Sequence, residues 1–191
     1  IADGVFRSKG SYACFGNPEW KNYTMSFKAR APKEAEQVQI WAGFRANNRF
    51  DRYVVGLKGG LQDDLYLMRM GYMGTDEFMG VRPLGFHPVP GQWYKLKVEV
   101  CGSRIRIFLN DEKEPRMDIT DKNSNLAPSG PVTLGGGWIE TEFDDLVVAP
   151  LEEDALKDVK VAEYRKVVTP QEKENKRQLE RANYTSVKVG E

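Results

Sequence analysis

The chain has 191 residues, of which 40% are hydrophobic, and its nine Phe, eight Tyr and four Trp residues are enough to fill one core. Twenty-eight Lys and Arg residues balance 28 Asp and Glu residues, so the formal net charge is zero. Because phosphate binding depends on a basic surface, this balance argues against nucleic acid as a partner. No run of about 18 apolar residues is present, so we expect no membrane insertion.

The first 150 residues have the pattern of short β-strands separated by turns. Polar and apolar residues alternate along the segments 25–30, 37–45, 94–100 and 104–109. A period of two residues predicts strands with one buried face and one wet face. Turn signals separate them at 16–18, 58–60, 90–91 and 128–130. About eleven strands without an amphipathic helix between them predict an all-β, two-sheet antiparallel sandwich over residues 1–150.

The remaining residues, 151–191, differ in kind because 18 of these 41 residues are charged. The sequence Thr169-Pro170-Gln171-Glu172 fits a capping box with proline at the first helical position, and it predicts a helix over about 169–184. We interpret 151–191 as a charged linker containing this one short helix. We expect it to lead to a further domain of a longer parent protein.

Five segments occur in an order that resembles one superfamily, at residues 43–45, 51–57, 91–98, 104–110 and 143–148. They are similar to the concanavalin A-like lectin/glucanase superfamily. More narrowly, they resemble the bacterial laminin-G-like sandwiches of 3-keto-disaccharide hydrolase-type domains and the fructan-binding modules of levanases. The resemblance covers about residues 1–149 and implies a jelly-roll sandwich. Both enzymes and pure binding modules use this fold.

The resemblance also implies a function and a setting. We expect a carbohydrate-binding accessory module of a bacterial glycoside hydrolase, in the periplasm or outside the cell. Its partners would be carbohydrate and a neighbouring domain of the same chain. Two alternatives stay open: a catalytic domain hydrolysing a glycoside of the 3-keto-disaccharide type, and a structural spacer without a ligand.

The segment 38–45 supplies the first candidate binding residues. If its aliphatic residues face the core, then Gln39, Trp41 and Arg45 share the opposite face. An indole stacks on the apolar C–H face of a sugar ring, and polar neighbours bind its hydroxyls. The alternative is an ordinary strand face with a tryptophan in a second layer. The full set of candidate ligand-binding residues is Gln39, Trp41, Arg45, Arg52, Tyr66 and Trp138.

Two acidic residues of the predicted last strand, Glu140 and Glu142, are the candidates for catalysis. Glu140, Glu142 and Asp144 fall on one face, about 6.5–7 Å apart along the backbone. This spacing is near that of the paired carboxylates of glycoside hydrolases. The segment is similar to the acidic strand motif of concanavalin A-like endoglucanases, but its middle acid is Glu where that family has Asp. A solvated acidic strand is the alternative.

Asp144 and Asp145 are the candidate metal ligands. Strict alternation would bury Asp145, and because a buried carboxylate needs a partner, we expect either a β-bulge or a bound ion here. The ion would be a structural calcium, which takes six to eight oxygen ligands. We expect no other cofactor.

Overall fold

The computed structural model of the protein describes residues 4–48, 51–71, 76–123 and 127–157. All of these residues belong to one compact unit. The helix predicted over 169–184, with most of the predicted linker, lies outside the described residues. In the part of the chain that is described, no helix is long and apolar enough to cross a membrane.

The described residues form twelve strands in two six-stranded antiparallel sheets, which confirms the predicted sandwich. The first sheet contains β1 (Phe6–Ser8), β3 (Tyr23–Arg30), β8 (Tyr94–Cys101), β9 (Arg104–Leu109), β10 (Met117–Thr120) and β12 (Thr141–Pro150). The second sheet contains β2 (Tyr12–Phe15), β4 (Gln39–Asn48), β5 (Asp51–Lys58), β6 (Asp64–Met70), β7 (Glu77–Pro83) and β11 (Val132–Gly135). The strand orders are β1-β12-β3-β8-β9-β10 and β2-β11-β4-β5-β6-β7.

The core lies between the two sheets and follows the alternation of the sequence. The aliphatic and aromatic side chains of β4 and β5 that point inward are completely buried: Val38 just before β4, then Ile40, Ala42, Phe44, Tyr53, Val55 and Leu57. The structure also shows which face of β6 is turned toward the core, where the alternation along 64–70 allows either face to be buried. Leu65 and Leu67 face the core, whereas Tyr66 and Met68 belong to a second, smaller apolar cluster.

This smaller cluster consists of Val54, Tyr66 and Met68, with Trp41 and Met70 packed against it. Its members lie on β4, β5 and β6, and they alternate with the core-facing residues of those strands. The cluster therefore lies on the outer face of the second sheet. We call this surface the outer face below.

Two β-bulges interrupt the strands that carry candidate site residues. The register of β12 against β3 shifts between Asp144 and Val147, where Asp145 has a φ of 52°. Asp145 is therefore exposed instead of buried, so the bulge, one of the two predicted possibilities, is what the chain adopts. The register of β4 against β5 shifts after Phe44, where Arg45 has a φ of 46°.

Candidate functional site

A glycine-rich bend joins β11 to β12 and presents Trp138. Gly135 and Gly136 have φ values of 98° and 102°, which L side chains rarely adopt. There is also little room for a side chain at either position. A Cβ at Gly135 would overlap the Ser8 hydroxyl, and one at Gly136 would lie 3.1 Å from Arg52 Nη2. The three consecutive glycines therefore allow the bend to pass close to neighbouring strands.

Gln39, at the start of β4, fixes the far end of this bend. Its side-chain Oε1 accepts hydrogen bonds from the backbone N–H of Trp138 at 2.6 Å and of Ile139 at 3.3 Å. The Thr141 hydroxyl donates to the backbone oxygen of Gln39 at 2.8 Å. Gln39 therefore holds the backbone that carries Trp138.

Trp138 is the most exposed aromatic side chain among the large hydrophobic residues of the described chain, at 73% of its accessible surface. It borders an open depression of about 290 Å³. The other lining residues are Lys9, Pro32, Glu34, Ala35, Glu36, Ile139 and Glu140. Three separate segments meet here: the β1–β2 turn, the β3–β4 loop and the bend before β12. We call this feature the Trp138 depression.

Two backbone hydrogen bonds hold the segments that line the depression. The Gly10 N–H donates to the Gly137 oxygen at 2.8 Å, which holds the turn carrying Lys9 against the glycine-rich bend. The Ala35 N–H donates to the Pro32 oxygen at 3.1 Å and closes the turn that carries Glu34. Lys9, Glu34 and Glu36 were not among the residues suggested by the sequence, because loop residues have no periodicity that assigns them to a common surface.

Trp41 lies on the outer face, as the alternation predicted, but it is half-buried in the small apolar cluster. The ring of Tyr66 lies across Gly56, where any Cβ would overlap it. Burial raises the pKa of the Tyr66 hydroxyl. The Trp41 Nε1 atom is buried and meets no acceptor with hydrogen-bond geometry in the described part of the chain.

Arg52 also lies on the outer face, beneath the glycine-rich bend. Its Nη1 donates to the Thr133 hydroxyl at 3.0 Å, and its guanidinium carbon is 4.6 Å from the centroid of the Tyr12 ring, within cation–π range. A Cβ on Gly136 would lie 3.8 Å from the Trp41 ring as well as close to Arg52. The bend thus passes close to Trp41 and Arg52 at Gly136, and Arg52 keeps only 2% of its surface exposed.

Arg45 does not join this group. Strict alternation placed it beside Trp41, but the bulge after Phe44 ends the alternation. The side chain is buried and donates to two backbone oxygens: Nε and Nη2 bind Lys21 O at 3.0 and 2.7 Å, and Nη1 binds Gly102 O at 2.8 Å. Arg45 thus connects two loops of the sandwich.

Of the two acidic residues considered for catalysis, Glu142 is engaged in ion pairs. Its carboxylate is buried and accepts hydrogen bonds from Arg7 Nε at 2.8 Å and Arg30 Nε at 2.6 Å. Burial favours a higher pKa for Glu142, but the bonds from Arg30 and Arg7 together hold it below its usual range. A carboxyl group in this state is a poor proton donor at neutral pH. Glu140, by contrast, is exposed at the rim of the Trp138 depression.

The Asp144–Asp145 pair is matched by a lysine. Lys28 Nζ lies 2.8 Å from Asp145 Oδ2 and 3.7 Å from Asp144 Oδ2. No group of three or more His, Cys, Asp or Glu side chains suited to a metal occurs in the described ranges. Two carboxylates that share an ammonium group fall short of the six to eight oxygens that calcium takes.

Comparisons with known proteins identify the fold. No family model matches the sequence, and no curated protein matches it. Among solved structures, the chain is similar to the carbohydrate-binding module CBM66 from Bacillus subtilis, with 15% identity, a TM-score of 0.58, and coverage of 76% of this chain and 94% of that one. It is also similar to sheep galectin-11 in complex with glycerol, with 11% identity, a TM-score of 0.50, and coverage of 74% and 98%.

A third similar structure is the GH43 protein BlXynB, a K247S mutant, from Bacillus licheniformis. The identity is 9% and the TM-score 0.54, and the match covers 77% of this chain but 32% of the GH43 protein. At these identities the similarity shows the fold alone. The chain is a β-sandwich of the concanavalin A-like and galectin type, as its sequence motifs suggested.

Proposed function

We propose that this sandwich binds carbohydrate without transforming it, as an accessory module of a bacterial glycoside hydrolase in the periplasm or outside the cell. The observation that carries the proposal is the exposed indole of Trp138 beside a polar depression, on a backbone that Gln39 and a glycine-rich bend hold in place. The backbone that carries this indole is held by hydrogen bonds from two segments, through Gln39 and Gly10.

The chemistry of the Trp138 depression suits a sugar. One face of the indole covers the C–H groups of a pyranose or furanose ring. The carboxylates of Glu34, Glu36 and Glu140 accept hydrogen bonds from ring hydroxyls, and the ammonium group of Lys9 donates to hydroxyl oxygens. Because all four polar residues are exposed, they offer these groups without prior rearrangement of a core.

The outer face next to the bend extends the proposed binding surface. Trp41 adds a second, half-exposed indole, which packs against the cluster that contains Tyr66. Gln39 connects the segments that carry the two tryptophans, because it lies on the same strand as Trp41 and accepts a hydrogen bond from the backbone of Trp138. In this proposal Trp138 is the main platform, and Gln39 positions the backbone that carries it.

The structural similarities support the proposal in two ways. The CBM66 structure is described as a carbohydrate-binding module, and galectin-11 is in complex with the polyol glycerol. The GH43 protein, with its glycosyl hydrolase context, matches this chain over 32% of its length, so that a sandwich of this kind is there one part of a longer chain. That arrangement is consistent with an accessory module joined to a neighbouring domain.

Calorimetric titration with a panel of neutral oligosaccharides tests the proposal. The panel includes β-fructans, β-glucans, galactosides and N-acetylglucosamine oligomers. We expect at least one of them to bind, and Trp138→Ala to weaken it about tenfold or more, which corresponds to about 1.4 kcal/mol. Because Trp138 is exposed, its fluorescence should change on binding.

Trp93→Ala is the matched control. Trp93 is a half-exposed tryptophan of the first sheet's side of the molecule, where its ring stacks 4.4 Å from the Arg30 guanidinium. Its removal should leave the affinity unchanged. Absence of binding across the whole panel, or binding lost in Trp93→Ala and kept in Trp138→Ala, would overturn the proposal.

A further inference from the structure

The Trp138 depression carries an excess of negative charge. Three carboxylates, those of Glu34, Glu36 and Glu140, line it together with one ammonium group, that of Lys9. All four side chains are exposed, and within the described ranges none of them forms an ion pair. This contrasts with other acidic residues of the sandwich, such as Glu142 and Asp118, whose carboxylates are paired with arginines.

We infer that the Trp138 depression selects sugars that carry a protonated amino group over neutral sugars, and that it rejects sugars that carry carboxylates or sulfates. This inference rests on the proposed function, because the same indole supplies the platform. The existence of the binding surface follows from Trp138 and the cavity beside it. The three carboxylates accept hydrogen bonds from hydroxyls in that proposal, and here they also determine which substituents on the ring are favoured.

The arrangement of the carboxylates explains the selectivity. Glu34 and Glu36 come from the β3–β4 loop and Glu140 from the bend before β12, so acidic groups border the indole from two different segments. A cationic substituent on a ring stacked against Trp138 gains attraction to these groups, and an anionic one is repelled. In water a single close pair of charges changes the affinity by about fivefold.

The same reasoning predicts dependence on salt. The carboxylates are exposed, and the screening length is about 10 Å at 0.1 M salt and about 3 Å at 1 M salt. The preference for amino sugars should therefore be largest at low ionic strength and should shrink when salt is added. Stacking on the indole does not depend on salt in this way, so the affinity for neutral sugars should change little.

Three probes test the inference by calorimetry at pH 5.5: hexamers of glucosamine, of N-acetylglucosamine and of galacturonic acid. We expect the glucosamine hexamer to bind about fivefold or more tightly than its acetylated counterpart in 50 mM NaCl, and the difference to fall below twofold in 500 mM NaCl. The galacturonate hexamer should not bind. The Trp138→Ala variant should lose binding of the glucosamine hexamer.

A charge-removal variant separates the acidic groups from the platform. Glu34→Gln/Glu36→Gln/Glu140→Gln removes the three charges but keeps the size of the side chains and an oxygen on each that accepts from sugar hydroxyls. The affinity for the glucosamine hexamer should therefore fall to that for the acetylated hexamer, which abolishes the preference. The control is Glu19→Gln/Glu114→Gln, which removes exposed acidic groups that do not line the depression. This control should keep the full preference.

The possible results distinguish the two proposals. Binding of a neutral oligosaccharide that depends on Trp138, without a preference for the glucosamine hexamer, would overturn the inference and leave the proposed function intact. A preference that the control double variant loses as well, or that survives Trp138→Ala, would show attraction to the overall charge and would also overturn the inference. If no oligosaccharide of either panel binds, both proposals fail.

Discussion

The side-chain Oε1 of Gln39 accepts a 2.6 Å hydrogen bond from the backbone N–H of Trp138, across a separation of 99 residues. The bond joins the first residue of β4 to the bend before β12, and the same oxygen also accepts from Ile139. Gln39 was a candidate ligand in the sequence. In the structure its carbonyl group is instead used within the protein, where it fixes the backbone that carries the most exposed indole of the site.

Replacing Gln39 should therefore weaken sugar binding indirectly. Gln39→Ala leaves two backbone N–H groups without their acceptor, so we expect the affinity to fall about fivefold and the free energy of unfolding to fall by about 1 kcal/mol. Gln39→Glu keeps an acceptor oxygen, so it should retain most of the affinity and most of the stability. Calorimetry and thermal unfolding measure the two effects. Gln92→Ala, at an exposed glutamine, should change neither. Equal affinity in Gln39→Ala and the native protein would contradict the positioning role.

Tyr66 and Gly56 form a tight pair on the outer face. Because a Cβ at Gly56 would overlap the Tyr66 ring, Gly56→Ala should destabilise the protein by about 1–3 kcal/mol. In a Tyr66→Ala background the space is free, and the same substitution should cost much less. Thermal or denaturant unfolding of the four proteins of this double-mutant cycle measures the coupling. Additive effects of the two substitutions would show that the ring does not depend on the glycine.

Asp121 should make stability depend on pH in the acidic range. Burial alone would raise the pKa of Asp121, but bonds from the Tyr53 hydroxyl, the Asn123 N–H and Arg69 hold it below its usual value. The pKa of Asp121 is lower in the folded protein than in the unfolded chain, where it is about 3.9. The charged carboxylate therefore stabilises the fold fully at a pH well above 3.9, and this stabilisation is lost as the pH falls through the pKa of the folded state.

The corresponding variant is Asp121→Asn. It should lower the melting temperature at pH 7 and lower it less at pH 3, because there the carboxyl group of the unfolded chain is protonated and the advantage of the charged native carboxylate declines. Asp154→Asn, at an exposed aspartate, serves as the control and should shift neither value. A difference between Asp121→Asn and the native protein that stays constant from pH 7 to pH 3 would argue against this explanation.

Glu142 should contribute to the stability of the fold and not to the binding or hydrolysis of carbohydrate. Glu142→Gln replaces the shared partner of Arg7 and Arg30 by a neutral group, so we expect the free energy of unfolding to fall by about 1–3 kcal/mol. The affinity for oligosaccharides should be unchanged. Chromatography of the oligosaccharide panel after long incubation checks for hydrolysis. Product formation by the native protein that disappears in Glu142→Gln, at unchanged melting temperature, would favour the hydrolase alternative.

Arg45 is a second residue whose substitution should change the stability of the protein and not its affinity for sugar. Its planar guanidinium reaches Lys21 O and Gly102 O at once, and a lysine ammonium cannot reproduce that fork. Arg45→Lys should therefore lower the free energy of unfolding by about 2 kcal/mol and leave sugar affinity unchanged. A specific loss of affinity in Arg45→Lys, with normal stability, would place Arg45 in the binding surface after all.

The alternation of polar and apolar residues was enough to predict the two-sheet sandwich and to place Trp41 on the face opposite Ile40 and Ala42. It failed for Arg45 because a bulge inserts extra residues into β4, and the periodicity of a strand carries no signal for where alternation stops. For Asp145 the pattern did help, since a carboxylate assigned to the core required a bulge or an ion, and the bulge is present.

The local sequence determined which residues form strands and which face of each strand is apolar, because a side chain's direction depends only on its position in the pleat. Only the tertiary structure decided that Lys9, Glu34 and Glu140 border the same indole, and that Gln39 holds it. These residues come from separate loops, and loops meet through the pairing of distant strands. The strand order that brings them together is set by the packing of the whole sandwich and by no single segment of the chain.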